Sequence, residues 1–141
     1  MTERHLTRTA IFVVLEKEGK IFMLRRSNTG WSDGLLTVPA GHVDKGDFVI
    51  ESAIKETKEE AGVTLLPENL EFIHVDFIRD EYVNFYFKAS IWTGEPCVGE
   101  PEMASEGVWC DLNNLPDDIV PPIKNLFLQL QNGKAFSEYS R

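Results

Sequence analysis

Cysteine is nearly absent from this 141-residue chain: Cys97 and Cys110 are the only two, there is no CxxC, and the 3 histidines show no paired ligand spacing. That excludes a disulfide framework and a cysteine-based zinc site, and leaves two idle thiols. No apolar run approaches the roughly 18 residues that would suggest a membrane span. Met1 to His5 is polar and leads into a short apolar run rather than a secretion-signal core. The expectation is a cytoplasmic protein with no membrane partner. Positive charge is scarce too: 14 Lys and Arg face 23 Asp and Glu, a net charge of -9. Such a field repels polyanions and argues against duplex DNA or RNA as a partner. Repeats, low-complexity tracts and long linkers are also missing. What remains is ordinary globular composition, 43% hydrophobic and 26% charged, expected to form a single domain over residues 1–141.

Thr9 to Leu15 and Ile21 to Leu24 are β-branched and apolar runs separated by a turn, Glu16 to Lys20, and read as a hairpin. Ser27 to Gly34 is a loop by composition, Leu35 to Val38 a short extended run stopped by Pro39, and Gly41 to Asp47 a second loop. From Phe48 to Ala61 the apolar period becomes about 3.6, which predicts a helix with Asp47 as its amino-terminal cap and Gly62 as its left-handed end. Strands are expected at Leu70 to Ile78, Tyr82 to Trp92 and Val108 to Leu112, and a last helix from Pro121 and Pro122 to Gly133. Strands on both sides of a helix, with a terminal helix, predict an α/β fold whose mixed sheet is covered on two faces.

The first helix carries an unusual charge arrangement. On a helical wheel Ile50, Ala53, Ile54, Thr57 and Ala61 share an arc of about 100°, and Glu56, Glu59 and Glu60 share a neighbouring arc of about the same width. The three acids are surface neighbours that repel one another. They also lie near the carboxy end of the helix, where the macrodipole disfavours negative charge. A divalent cation would relieve both penalties, Mg²⁺ being a hard ion that takes carboxylates together with phosphate oxygens. A solvated acidic face balanced by Lys55 and Lys58 is the plain alternative.

The preceding loop shifts the balance towards the cation. Counting from Gly41 gives five residues, Asp47, seven residues, then Lys55, Glu56, Thr57, any residue, Glu59, Glu60, any residue, Gly62 and Val63. This resembles the Nudix box, with every interval reproduced, identity at Gly41, Glu56, Glu59, Glu60 and Gly62, and an aliphatic at Val63. Asp47, Lys55 and Thr57 stand where the pattern has Glu, Arg and an aliphatic residue. The likeness extends to the Arg25–Arg26 pair, the Leu35 to Gly41 approach with Ala40 for a glycine, Glu100–Pro101, Trp109 and Leu115–Pro116.

The resemblance, to the MutT-like branch, implies an α/β/α sandwich and a pyrophosphohydrolase dependent on Mg²⁺, with Mn²⁺ as an alternative. Its substrate would be a nucleoside triphosphate-type molecule, cleaved to the monophosphate and pyrophosphate. ADP-ribose or another nucleoside diphosphate derivative is the alternative substrate, and a non-catalytic nucleotide-binding module on the same fold the alternative function. It further implies metal ligands at Glu56, Glu59, Glu60 and the Gly41 carbonyl, with Glu56 the leading base. A further ligand or base would come from Glu100, chosen over Glu102 and Glu106. Arg26 has the spacing of a phosphate-contacting arginine. In the strand from Tyr82, alternation sets Tyr82, Asn84, Tyr86 and Lys88 on one face and Val83, Phe85, Phe87, Ala89 and Ile91 on the other. The second face reads as core; Tyr82, Asn84 and Tyr86 are candidates to stack on and hydrogen-bond a nucleobase, against an ordinary solvent-facing strand. Trp31 is either a substrate wall or a loop anchor, His42 a loop hydrogen-bonding residue. A homodimer is left open.

Overall fold

The computed structural model describes residues 2–141. Its elements in chain order are β1 (Arg8–Lys17), β2 (Lys20–Arg26), β3 (Leu36–Thr37), β4 (Ala40–His42), α1 (Val49–Ala61), β5 (Glu71–Ile78), β6 (Tyr82–Ala89), β7 (Ala104–Asp111), α2 (Pro121–Gln131) and β8 (Phe136–Tyr139). One sheet runs β3-β2-β1-β6-β5-β8, with β4 also on β1 and β7 also on β2. It is mixed: β1 and β6 are parallel from Arg8 opposite Tyr82 to Leu15 opposite Ala89, β5 and β8 are parallel, and the remaining pairs are antiparallel.

Period-two alternation distributes the apolar side chains between two helix-covered layers. Ile11, Val13 and Leu15 of β1 join Phe22, Leu24 and Phe87 against Ala53 and Ala61 of α1. Val14, Ile21, Met23 and Tyr86 pack instead with Ile123 and Leu126 of α2. The outcome is the expected α/β/α sandwich. Among the described residues no helix is long and apolar enough to cross a membrane.

Several boundaries differ from the sequence expectation, each for a local reason. The hairpin turn narrows to Glu18 and Gly19, at φ 54° and 76°. Those left-handed residues match the twist of the flanking strands, so both strands extend towards the turn. Asp47 does not cap α1. The cap is Phe48, whose N–H donates to Glu51 Oε1 at 3.0 Å, while Asp47 N–H closes a turn onto Asp44 O. Gly62 does end the helix, at φ 74°, with its N–H on Lys58 O. The start of the expected Gly41–Asp47 loop is strand β4, because Ala40, Gly41 and His42 pair with β1. β6 stops at Ala89, short of Trp92, β7 begins earlier at Ala104, and β8 was not anticipated.

Candidate active site

Helix α1 leans on β4, and this contact builds the acidic site. Gly41 has no side chain because Glu56 occupies the space: a methyl there would lie 2.5 Å from Glu56 Cγ and 2.7 Å from Oε2. One turn on, Glu60 Oε1 accepts a 2.6 Å hydrogen bond from the Ala40 N–H. Burial pushes the Glu60 pKa up to about 8; Glu56 and Glu100 add to the rise, while the Ala40 bond and Arg26 oppose it. The Glu56 pKa is also raised, first by burial and then by Glu59, with Glu100 contributing. Glu59 is exposed at the rim. The three helix acids and Glu100 therefore share one electrostatic neighbourhood in which negative charge is under-compensated.

Glu100 reaches this neighbourhood through a backbone clamp. Cys97 N–H donates to Ala61 O and Gly99 N–H to Glu60 O, capping the last carbonyls of α1. Gly99 has to be glycine at this close approach, since a Cβ would run into the Glu59 carbonyl oxygen. Glu106 instead pairs with Arg25 at 2.7 Å, and Glu102 is exposed, so of the three late acids the fold brings Glu100 to the site.

The arginine pair divides its work. Arg25 is bound to Glu106, to Asp118 at 2.8 Å and to the Gly34 carbonyl, which ties β2 to β7 and to the segment before α2. Arg26 faces the other way. Its Nε donates to Trp31 O at 2.7 Å and its Nη2 to Thr29 Oγ1 at 2.8 Å, and its guanidinium lies 4.8 Å from the Trp31 ring centroid. The loop is set for this by Asp33, whose carboxylate accepts the Thr29 and Gly30 N–H groups and the Thr29 hydroxyl. Burial lowers the Arg26 pKa, with Asp33 and Glu60 acting against it.

Arg26 borders two cavities. One is lined by Glu60, Glu100, Thr29 and Thr37; the other, of about 430 Å³, by Phe12, Trp31, Gly41, His42, Tyr82 and Pro122, with Glu81 and Arg141 also on its wall. Tyr82 Oη is 2.8 Å from His42 Nε2, and the two rings stack at 5.7 Å and 8°. Trp31 is thus both a cavity wall and an anchored loop residue, and His42 has the hydrogen-bonding role expected of it. Phe12 and Pro122 escaped the sequence reading. Each sits among apolar neighbours, and nothing in an apolar run marks the residue that comes to border a cavity.

Two candidate substrate contacts are corrected. Asn84 and Tyr86 are buried, 3% and 0% exposed, on the face that alternation left to solvent, where Tyr86 packs with Ile123 and Leu126 of α2. Their polar atoms are satisfied internally: Asn84 Nδ2 donates to Asp76 Oδ1 at 2.9 Å and Tyr86 Oη to Asp76 Oδ2 at 2.8 Å. Of the three strand candidates only Tyr82 reaches the cavity. Lys55 points to Asp44 at 3.9 Å. Thr57 fits the core by burying its methyl and donating its hydroxyl to Ala53 O at 2.7 Å.

Metal fit can be judged from these contacts. Glu56 and Glu60, whose pKa values burial and neighbouring acids raise, a glycine cradle that sets Glu56 against the β4 backbone, and hard oxygen donors alone suit a divalent cation such as Mg²⁺. Among the described residues the acids do not close into a ready-made cage of three.

The geometry defines a class of protein, an α/β/α sandwich with a carboxylate arc beside an arginine and an aromatic cavity. Comparison with known proteins makes the assignment specific: residues 5–130 match the NUDIX domain, and the chain belongs to that family. It is 31% identical over 110 residues to the ADP-ribose pyrophosphatase of Methanocaldococcus jannaschii, covering 76% of this chain and 63% of that protein. With the 8-oxo-dGTP diphosphatase of Escherichia coli it shares 26% identity, covering 80% of this chain and 86% of that one. A solved structure, the MutT NUDIX hydrolase from Burkholderia pseudomallei, superposes with TM-score 0.80 at 25% identity over 89% of this chain and 98% of that one. The chain spans just under two thirds of the first two curated relatives it matches, 63% and 65% of their lengths.

Proposed function

We propose that this domain hydrolyses a diphosphate linkage in a nucleoside triphosphate-type substrate, releasing a nucleoside monophosphate and pyrophosphate. The observation that carries the reading is the position of Arg26, which borders both the Glu60–Glu100 cavity and the aromatic one. A molecule with a planar base at one end and a polyphosphate at the other matches that layout. Likeness to the E. coli 8-oxo-dGTP diphosphatase over most of both chains supports it.

Glu56, Glu59, Glu60, Glu100 and the Gly41 carbonyl would hold Mg²⁺, with Mn²⁺ as the alternative. Bound there, the ion supplies neutralisation of diphosphate charge. The protein's own groups do the rest. Arg26 uses Nε and Nη2 on its loop, and its Nη1 would donate to a phosphate oxygen. Glu56, held against Gly41, orients the attacking water and takes its proton, for which a carboxylate with a raised pKa is better suited than a fully solvated one. Water's oxygen bonds to the α or β phosphorus, the bond from that phosphorus to the α–β bridging oxygen breaks, and the bridging oxygen keeps the electron pair, so that the products are the nucleoside monophosphate and pyrophosphate.

The second reading, hydrolysis of ADP-ribose or a related diphosphate, is favoured by the M. jannaschii relative. A panel of nucleoside triphosphates, ADP-ribose, dinucleoside polyphosphates and nucleotide sugars, assayed with Mg²⁺ for pyrophosphate, phosphate and monophosphate, separates the two. Pyrophosphate with a nucleoside monophosphate is the expected product pair, and Glu59→Gln and Glu60→Gln should each remove most turnover. Nucleotide binding without turnover of any substrate would refute hydrolysis and leave a binding module.

A further inference from the structure

Tyr86 lies outside the substrate cavity yet is built into its wall. Its ring stacks on Phe12 at a centroid distance of 4.7 Å and an interplanar angle of 17°, and Phe12 lines the 430 Å³ cavity. Behind Tyr86, the buried His74 ring packs at 5.9 Å. His74 is itself pinned, with Nδ1 on Lys134 O at 2.9 Å and Nε2 on Ser137 Oγ at 2.8 Å, between the end of α2 and β8. The Tyr86 hydroxyl is fixed by Asp76, whose other oxygen is fixed by Asn84. Ring, hydroxyl and backing are all held, so the plane of Tyr86 has no freedom to turn.

Phe12 is different. It sits on the parallel β1–β6 pair directly opposite Tyr86 and is only half buried, so its cavity side meets no comparable constraint. Its plane is set from behind by the stack. We propose that Tyr86, oriented by Asp76, is a positioning residue that fixes Phe12 as a platform for the planar base of the substrate. The inference rests on the nucleotide reading above and adds to it how the base is held. An aromatic ring held in place recognises a flat ligand better than a mobile one, because less rotational freedom is lost on binding.

The test uses the full chain and measures KM and kcat for the best triphosphate of the panel, with binding of the corresponding nucleoside monophosphate followed by fluorescence. Tyr86→Phe retains the stack and loses the hydroxyl anchor. It should raise KM and the monophosphate Kd by about three- to tenfold while kcat stays within twofold, a change of the size one aromatic contact controls. Asp76→Ala should do the same. Asp76→Asn, which can still accept from the Tyr86 hydroxyl once the Asn84 amide turns over, should restore wild-type KM. Phe12→Leu should raise KM at least as far as Tyr86→Phe, and adding Tyr86→Phe to it should cost nothing further. A melting temperature that falls with KM unchanged would show that the network only stabilises the fold, and would overturn the inference. So would additive losses in the double variant. If the wild type neither binds nor cleaves any nucleotide, the functional reading fails and takes this inference with it; if it does and Tyr86→Phe leaves KM unmoved, the inference alone fails.

Discussion

Replacing Gly41 by alanine adds one methyl group, and its effect can be worked out from the contact it would make. That methyl would sit 2.5 Å from Glu56 Cγ, against 3.4 Å or more for ordinary van der Waals contact, and nothing but Glu56 side-chain atoms are its nearest neighbours. Gly41 is not at positive φ, so the backbone accepts alanine and the side chain has to give way by about 1 Å. Overpacking of this kind costs about 1 to 3 kcal/mol. A flexible side chain half open to solvent relaxes at the lower end of that range, which in a domain of this size lowers the melting temperature by only a few degrees, about 2 to 8 °C per kcal/mol. Activity should suffer far more, because a 1 Å displacement of a reacting group costs on the order of 100-fold in rate. Thermal melts, Mg²⁺ titration and kcat on one preparation would show a folded protein with weaker metal binding and about 100-fold lower turnover. Gly99→Ala is the counterpart: its Cβ meets the Glu59 carbonyl, backbone that cannot swing away, so the melting temperature should fall much further. A Gly41→Ala protein with wild-type turnover and metal affinity would refute the placement of Glu56 in the reaction.

The paired arginines should separate cleanly in kinetics and melts. Arg26→Ala raises KM by about 10- to 100-fold through loss of a charge-assisted phosphate contact, about 1.5 to 3 kcal/mol, whereas Arg25→Ala lowers the melting temperature by releasing Glu106, Asp118 and the Gly34 carbonyl. Glu60 has its pKa raised from 4.5 to about 8, so in chelator-treated protein the folded state retains a proton that the unfolded state gives up. Stability from this group is fully present below pH 4.5 and is lost as pH rises towards 8. Melting temperatures measured across that window should fall less steeply in Glu60→Gln. Glu100→Gln should weaken Mg²⁺ binding measured by titration while Glu102→Gln leaves it unchanged; equal effects would remove Glu100 from the ligand set.

Helix α1 was readable because its signal is local: an apolar stripe, a run of acids and a terminal glycine lie within one segment, and the structure differs only by moving the cap from Asp47 to Phe48. The misread parts depend on partners far along the chain. Asn84 and Tyr86 look like the wet face of a strand until β5 sets Asp76 opposite Asn84 and within reach of the Tyr86 hydroxyl, and α2 packs on Tyr86. Strand β8 is short and half polar. Its strand character comes from pairing with β5 and from the His74 contacts, neither of which local propensity can register. Within the site, the three helix carboxylates announced themselves by charge and spacing, and Arg26 and Glu100 through the family resemblance, whereas Phe12 and Pro122 became recognisable only when the sheet and α2 brought them to a shared cavity.

The clamp of Cys97 and Gly99 on the last carbonyls of α1 makes Glu100 and Glu60 parts of one cooperative unit. Fraying of the helix end, a low-energy kind of local opening, therefore pulls apart two acids from distant segments in a single event. The amide protons of Cys97 and Gly99 should exchange with solvent at the pace of that opening, and a cation bridging the acids should slow both together. On warming, the working lifetime of the site would then be set by one turn of helix coming loose, well before the sheet beneath it melts.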